Sequence, residues 1–221
     1  MVVFGKTLYY PGCISKIKVK HISLNYQNLL NNLGIKFITL KDIELCCGIP
    51  ALNAGYKEEF FDIVNKNKEI FENQKITKII SNCPSCCRIF REEYGIKTEH
   101  VTEVIFRHMN KIKKDYNNEK VAYHDPCNLG RKLKVYDEPR AILRSIGFEL
   151  VEFKNNHENA FCCGAGGLLK LNSPRIADRI AVERLKQTTA KKVVTACPLC
   201  YLHLKNNTKG LEVLELSEVL V

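Results

Sequence analysis

The stretch Phe161-Cys162-Cys163-Gly164 is the centre of a five-cysteine pattern. The pattern begins at Cys127 and ends with Cys197-Pro198-Leu199-Cys200. The first half of the chain carries the same pattern, which reads Cys13, then Cys46-Cys47-Gly48, then Cys83-Pro84-Ser85-Cys86. Corresponding cysteines of the three segments are 114, 116 and 114 residues apart. The sequence therefore contains two copies of one site.

The composition is that of a globular protein. The chain has 221 residues, of which 45% are hydrophobic and 26% charged, enough to bury the core of one domain or of two small ones. The first ten residues lack the basic and long apolar regions of a signal peptide, and no apolar run approaches the ~20 residues of a membrane span. We expect a cytoplasmic protein without a membrane span.

The formal net charge of +10 at pH 7 is spread along the chain. Basic residues occur in both halves without interleaved aromatic residues or a recognition-helix pattern, which argues against nucleic-acid binding. An acidic partner or an anionic substrate fits this charge better, although a solvated lysine-rich surface explains most of it.

The eleven cysteines point to metal binding or redox chemistry. In a reducing compartment these roles are more common than structural disulfides. The adjacent Cys-Cys pairs support this interpretation, because neighbours along the chain do not easily reach the Cα separation and torsion of a relaxed disulfide. A shared metal centre has no such restriction.

Hydrophobic periodicity predicts alternating strands and helices in both halves. In the first half we predict strands at residues 6–10, 35–40, 76–81 and 98–101, and helices at 18–33, 56–73, 84–94 and 103–113. In the second half we predict strands at 120–124, 148–153, 192–196 and 211–214, and helices at 139–146, 174–187 and after Cys197. The polar residues 115–119 separate a first repeat, 1–115, from a second, 119–221. The predicted fold class is α/β, with two tandem Rossmann-like lobes that each contain a small parallel sheet.

The cysteines follow predicted strands in both copies. The carboxyl ends of parallel strands meet at one edge of a sheet, where ligands bind, so cysteines distant in sequence can converge there. The helix after each Cys-Pro-x-Cys segment directs its positive N-terminal dipole toward the thiolates.

Five thiolates exceed the four that tetrahedral zinc accepts, and adjacent cysteines can reach different irons of one cluster. Iron-sulfur binding is the favoured interpretation, although the C-x2-C-x2-C-x3-C run of bacterial ferredoxins is absent. Structural zinc and thioredoxin-like dithiol chemistry remain as alternatives.

The doubled pattern of Cys, Cys-Cys-Gly and Cys-Pro-x-Cys resembles the cysteine-rich CCG domain found in the B subunit of heterodisulfide reductase and in its relatives. The resemblance covers almost the whole chain. The stretch from Tyr123 to Arg131 resembles the branch that contains the D subunit of heterodisulfide reductase and the iron-sulfur subunit of thiol:fumarate reductase.

The resemblance implies two noncubane [4Fe-4S] clusters with a substrate disulfide between them. One would be held by Cys13, Cys46, Cys47, Cys83 and Cys86, and the other by Cys127, Cys162, Cys163, Cys197 and Cys200. The implied activity is that of a heterodisulfide reductase-like oxidoreductase, in which each cluster supplies one electron to a small-molecule disulfide. Members of the branch that the Tyr123 to Arg131 stretch resembles carry a ferredoxin-like segment ahead of this region, which this sequence lacks. We therefore expect electrons from a ferredoxin-like iron-sulfur subunit or a flavoprotein subunit.

Two other functions remain as alternatives. The chain would be an electron-transfer subunit of a glycolate- or lactate-type oxidising complex in one, and a zinc-stabilised interaction module in the other.

A few other residues are candidates for a role. We interpret Cys87 as a buried thiol in the first turn of a helix. His124 either closes a strand or protonates a departing thiolate as a catalytic residue. Arg131, Lys132 and Arg140 are candidates for binding substrate carboxylates or phosphates. We interpret Gly48, Gly164, Gly166 and Gly167 as turns that bring a cluster close to the backbone.

Overall fold

The computed structural model describes residues 5–40 and 43–221, which contain two small parallel sheets. The strands are Lys6–Tyr10 (β1), Ile76–Ser81 (β2), Lys97–His100 (β3), Lys120–His124 (β4), Glu149–Leu150 (β5), Lys192–Thr195 (β6) and Glu212–Glu215 (β7). The first sheet has the order β1-β2-β3 and the second the order β5-β4-β6-β7. Every strand pair is parallel. The predicted α/β class with two small parallel sheets is confirmed.

Helices cover the sheets and connect their strands. They are Gly12–Ile17 (α1), Lys20–Asn32 (α2), Ile49–Ala54 (α3), Lys57–Asn73 (α4), Pro84–Glu92 (α5), Val101–Phe106 (α6), Asp137–Ser145 (α7), Leu169–Asn172 (α8), Pro174–Leu185 (α9), Pro198–Asn207 (α10) and Leu216–Leu220 (α11). Short 3₁₀ turns lie at Met109–Lys111 and His157–Asn159, and a π-helical turn lies at Asn128–Lys132. Among the helices of the described ranges, none combines the length and apolar character that a bilayer span requires.

The two sheets repeat the same register. Tyr10 at the end of β1 is paired with Ser81, and His124 at the end of β4 is paired with Thr195. Tyr10 and His124 each precede the first cysteine of their quintet by three positions. Both helices that follow the last strand of a half, α6 and α11, begin with a capping box, formed by His100 with Glu103 and by Glu215 with Glu218. The duplication therefore extends from the cysteines to the helix ends.

Some predicted elements are wrong in extent or type. The predicted strand 35–40 is reduced to one isolated parallel bridge between Leu8 and Ile38, and the predicted strand 148–153 is reduced to β5. Both segments lie at the outer edge of their sheet, so each has a neighbouring strand on one side only. After each segment the chain continues to the Cys-Cys-Gly sequence. The predicted helix 18–33 corresponds to α2 and is confirmed, α1 before it was not predicted, and the predicted helix 103–113 is α6 followed by a 3₁₀ turn.

The apolar core consists of two clusters. The smaller cluster lies in the first half, where Leu8, Phe60 and Phe90 pack between the first sheet and its outer helices. The larger cluster contains residues from both halves, such as Tyr26 of α2 and Val193 of β6. The two halves therefore share buried apolar surface, which removes it from water and stabilises their association.

Candidate functional site

The five cysteines of the first half meet beyond the carboxyl ends of β1 and β2. Cys13 is the second residue of α1, the Cys46-Cys47 pair precedes α3, Cys83 caps α5 and Cys86 lies in its first turn. Their thiols form a continuous series of hydrogen-bonded neighbours in the order Cys13, Cys46, Cys47, Cys86, Cys83. One site is thus built from three segments of the chain.

The second half builds the same site beyond β4 and β6. Its thiols are neighbours in the order Cys127, Cys162, Cys163, Cys200, Cys197, which is the order of the first site. The Cys163 Sγ donates to the Cys200 Sγ over 3.3 Å. The structure therefore brings all ten predicted ligand cysteines into two separate groups of five.

Each group concentrates negative charge at its Cys-Cys pair. Hydrogen bonds from Cys13 and then Cys47 lower the pKa of Cys46 to about 2, and hydrogen bonds from Cys127 and then Cys163 lower the pKa of Cys162 to about 2. The thiols that donate these bonds have raised pKa values for the same reason. A bound cation would relieve this competition and allow more of the thiols to ionise.

Backbone N–H groups also face the sulfur atoms. The Gly164 N–H donates to the Cys162 Sγ over 3.4 Å. A hydrogen bond from Cys86, followed by backbone N–H groups of Cys86 and Ser85 at the start of α5, lowers the pKa of Cys83. The predicted orientation of this helix N-terminus toward a thiolate agrees with these contacts.

Gly12 allows the first site to be compact. Its φ is +77°, and a Cβ atom there would lie 3.1 Å from the Cβ of Cys83 and 3.3 Å from the Sγ of Cys86. A larger residue would therefore enter the space between the ligand segments, so glycine is the residue that fits.

The two sites contact each other through a reciprocal arrangement of elements. The first-cysteine helix α1 packs against α10 of the other half, and the π-helical turn after Cys127 packs against α5 of the first half. At the second contact the Asn128 Nδ2 donates to the Ser85 Oγ over 3.0 Å. Each site thus borders the interface between the halves.

The residues present fit a multinuclear metal–sulfur group. Each site offers five sulfur donors, of which some are buried and the others are half-buried or exposed. Cys47 and Cys86 are buried at the first site, and Cys163, Cys197 and Cys200 at the second. Cys46 is exposed and the remaining ligand cysteines are half-buried. Soft thiolates in this number suit iron-sulfur clusters better than a tetrahedral ion.

Cys87 and His124 are both buried beside these sites. Cys87 is buried in the first turn of α5, as the sequence predicted, and its thiol is directed to the Ser81 carbonyl. His124 is the last residue of β4, and burial followed by the charge of Arg184 lowers its pKa to about 3. The imidazole is therefore neutral at pH 7, which suits the structural interpretation better than proton donation.

The prediction that Arg140 binds substrate is wrong. Its guanidinium is buried and bonds both oxygens of Asp125 and both oxygens of Glu152, at 2.7 to 2.9 Å. These carboxylates already occupy its donors. Arg131 donates to the Ala160 carbonyl over 2.9 Å and supports the loop before Cys162.

Sequence reasoning missed Arg184 of α9. This arginine is buried and donates to the Nδ1 of His124 over 3.0 Å. The signal in the sequence was weak: Arg184 lies at a position where the helical periodicity of α9 faces the core. Periodicity alone does not distinguish a buried arginine from one on the surface.

Comparison with known proteins identifies the pattern. The profile of the cysteine-rich CCG domain matches residues 7–91 and again residues 121–205. The D subunit of the dihydromethanophenazine:CoB–CoM heterodisulfide reductase of Methanosarcina acetivorans is 31% identical over 97% of this chain and 57% of its own length. The B subunit of the CoM/CoB fumarate reductase of Methanothermobacter marburgensis is 30% identical over 90% of this chain and 41% of its own length.

A bacterial relative has a similar level of identity. The probable iron-sulfur-binding oxidoreductase FadF of Bacillus subtilis is 34% identical over 93% of this chain and 31% of its own length. The chain therefore spans little more than half, or less, of the curated relatives that it matches. With one profile match in each half, this chain belongs to the cysteine-rich CCG domain family.

Proposed function

We propose that this chain is an iron-sulfur redox protein of a larger complex, which holds two clusters and reduces a disulfide with electrons from a partner polypeptide. The observation that supports this best is the duplicated quintet, since the thiols of each half are neighbours in the same order. The names of the relatives, which include a heterodisulfide reductase and an iron-sulfur-binding oxidoreductase, agree with it.

The two quintets would hold one [4Fe-4S] cluster each. The first set is Cys13, Cys46, Cys47, Cys83 and Cys86, and the second is Cys127, Cys162, Cys163, Cys197 and Cys200. The noncubane type is the one that the resemblance to the B subunit of heterodisulfide reductase implies for a complete set of five cysteines. When bound, such clusters supply one-electron transfer.

The placement of the sites matches a two-electron substrate. A disulfide takes up two electrons and two protons to give two thiols, and two one-electron sites at one interface provide that number. The contacts of α1 with α10 and of α5 with the turn after Cys127 hold the sites there. Cys127 and Cys162 of the second site are half-buried, so part of that site is accessible.

A partner would deliver the electrons. Two relatives are named as subunits and all three are longer than the region they share with this chain, which supports a ferredoxin-like iron-sulfur protein or a flavoprotein as the donor. The small-molecule disulfide is the proposed acceptor.

The test begins with iron and acid-labile sulfide analysis of protein purified without oxygen. We expect iron and sulfide at the level of two clusters, and disulfide-dependent oxidation of a reduced viologen dye. Cys127→Ser or Cys163→Ser should abolish this activity while the spectroscopic signal of the N-terminal cluster remains. Cys87→Ser is the control, because it removes a buried thiol outside both groups of five.

Three results contradict the proposal, each in a different way. Zinc in place of iron would favour the interaction module. Full iron loading with no disulfide reduction, in protein that copurifies with a flavoprotein, would favour the electron-transfer role. Undiminished reduction by Cys163→Ser would refute the need for two clusters.

A further inference from the structure

The second half contains a buried arginine without a carboxylate partner. Arg184 donates to the Nδ1 of His124 at 3.0 Å, the Asn155 carbonyl at 2.6 Å and the Gln187 Oε1 at 2.9 Å. Its guanidinium also stacks on the Phe153 ring at 3.7 Å from the centroid. All four contacts are neutral. Among the described residues no carboxylate lies within ion-pair distance of it, whereas Arg140 is paired with two.

The charges that act on Arg184 come from Asp125, from Arg140 and from two cysteines of the second site. Asp125 contributes the largest attraction but is already paired with Arg140, and Cys200 and Cys163 of the second site follow it. Its partner His124 has a ring nitrogen within 4.8 Å of the Cys163 and Cys200 sulfurs. A buried guanidinium is strongly unfavourable unless a negative charge compensates it, and Asp125 is shared with Arg140, so we take the second site to be the further counter-charge of Arg184.

The contact with Arg184 fixes the tautomer of His124. A neutral imidazole has one nitrogen that accepts and one that donates, and the Nδ1 accepts from the Arg184 Nε. The proton is therefore on the Nε2, which cannot bind a metal in this state. This N–H is fully buried and has no hydrogen-bond partner among the described residues, and the same is true of the Arg184 Nη2. His124 and Arg184 thus each keep one buried donor that no described residue uses.

The first site has no equivalent of this pair among the described residues. The position of His124 is taken by Tyr10, which also ends its strand three residues before the first cysteine. The Tyr10 hydroxyl donates to the Leu45 carbonyl over 2.7 Å. Both buried arginines of the described ranges, Arg140 and Arg184, lie in the second half. The two sites therefore share their ligands and differ in their surroundings.

We propose that Arg184 and His124 raise the reduction potential of the C-terminal cluster above that of the N-terminal cluster. Reduction adds one negative charge to a cluster, and nearby positive charge and N–H donors to sulfur stabilise the reduced form more than the oxidised form. The inference rests on the proposed function, because it requires a cluster at each site. His124 and Arg184 act through the cluster environment and are positioning residues.

The experiment is a redox titration of anoxically purified, iron-loaded protein, followed by electron paramagnetic resonance. The wild type should show two reduction steps. His124→Ala removes the Nε2–H donor and the Nδ1 that accepts from Arg184. It should lower the equilibrium constant for reduction of the higher-potential cluster at least tenfold, which is a shift of about 59 mV for one electron. His124→Gln retains an amide donor and an oxygen acceptor, and it should stay within about threefold of the wild type. Tyr10→Phe is the matched control and should shift neither step.

Each result decides the question. Coincident steps in the wild type overturn the inference without any variant, even if His124→Ala does not fold. A shift of the lower step, or an equal shift of both steps, by His124→Ala also overturns it. Two-cluster loading with potentials that no variant changes refutes this inference alone, whereas wild-type protein without iron refutes the proposed function and this inference together.

Discussion

Glu215 is a buried carboxyl group at the start of α11. It accepts hydrogen bonds from the Tyr26 hydroxyl and the Ser217 N–H, both at 2.7 Å. Burial outweighs these bonds, and with the charge of Glu218 it raises the pKa of Glu215 from 4.5 to about 7. The folded state therefore binds more protons than the unfolded state between these values, so stability falls as the pH rises from about 4.5 to 7.

Glu215→Gln should remove this part of the pH dependence. The amide keeps an acceptor for Tyr26 and carries no charge. The raised pKa corresponds to about 3 kcal/mol, or about 6 to 12 °C in melting temperature for a chain of this size. We expect the difference in melting temperature between pH 5 and pH 8 to change by several degrees in the variant. Glu92→Gln, at a half-exposed ion pair with Arg88, is the control and should match the wild type.

Cys87 is the one cysteine outside the two groups of five. Its thiol is fully buried and directed to the Ser81 carbonyl at 3.6 Å, and burial raises its pKa. Cys87→Ala should leave the iron content unchanged and cost about 1 kcal/mol or less in stability. Cys86→Ala, one position earlier, should lose the iron of the first site. Equal loss of iron in both variants would show that Cys87 is a ligand.

Residues were predictable from the sequence where their spacing repeated. The cysteines recur at almost constant offsets, so both groups could be predicted, and the structure brings each group together. Arg140 and Arg184 could not be interpreted in this way. Whether an arginine is buried against Asp125 and Glu152, or against neutral groups such as His124, depends on which side chains the fold places around it.

At the scale of elements, Gly164 follows the second Cys-Cys pair and lies against α9. Its φ is +88°, and a Cβ atom would lie 2.8 Å from the Ala177 carbonyl oxygen. Gly164→Ala therefore combines about 1 to 2 kcal/mol of backbone strain with a clash against α9. We expect the variant to lose the iron of the second site, about half of the total, with the signal of the first cluster intact.

Gly166 provides a matched control, and Gly48 is the counterpart of Gly164 at the first site. Gly166 has no positive φ, and a Cβ atom there meets nothing within 4 Å, so Gly166→Ala should keep full iron. Gly48 has a φ of +87° and would place its Cβ 2.8 Å from the Phe60 ring, so Gly48→Ala should lose the other cluster. Retention of both clusters in Gly164→Ala would contradict this role of the turn.

Three strands were predictable because their apolar runs are bounded by turn residues and lie just before cysteines. The predictions for β1, β2 and β4 match the structure at both ends. The two segments that lead to the Cys-Cys pairs failed, because local sequence does not say how far pairing extends, whereas the edge strands β3 and β7 were predicted to within one residue at each end. The π-helical turn at Asn128–Lys132 was also missed, because its wide turn is stabilised by packing against α5.

For the whole molecule, the sequence indicated a duplication but not how its halves pack. The structure pairs α2 with α11 and α6 with α7 across the interface. The Tyr26 hydroxyl of α2 reaches Glu215 of the other half, and both groups are fully buried. Such pairing depends on surfaces that are apolar in both halves, and periodicity does not assign one apolar face to another.

The shared core predicts that the second half does not fold alone. Val121, Leu143 and Val193 belong to one apolar cluster with Tyr26 and Leu30 of the first half, so separation would expose these side chains to water. The cut belongs before residue 115, because Tyr116 stacks on Phe148 at 4.0 Å and its N–H donates to the Ile146 carbonyl.

We expect a fragment of residues 115–221 expressed alone to be aggregated or to lack a cooperative melt. Coexpression with residues 1–114 should give a soluble complex that melts in one transition, measured by size exclusion and circular dichroism. As a control, the two fragments joined by a flexible linker should behave as the whole chain does. A soluble monomer of residues 115–221 with its own cooperative transition would contradict the shared core, because the apolar faces of β6 and α7 would then be stable without α2 and α6.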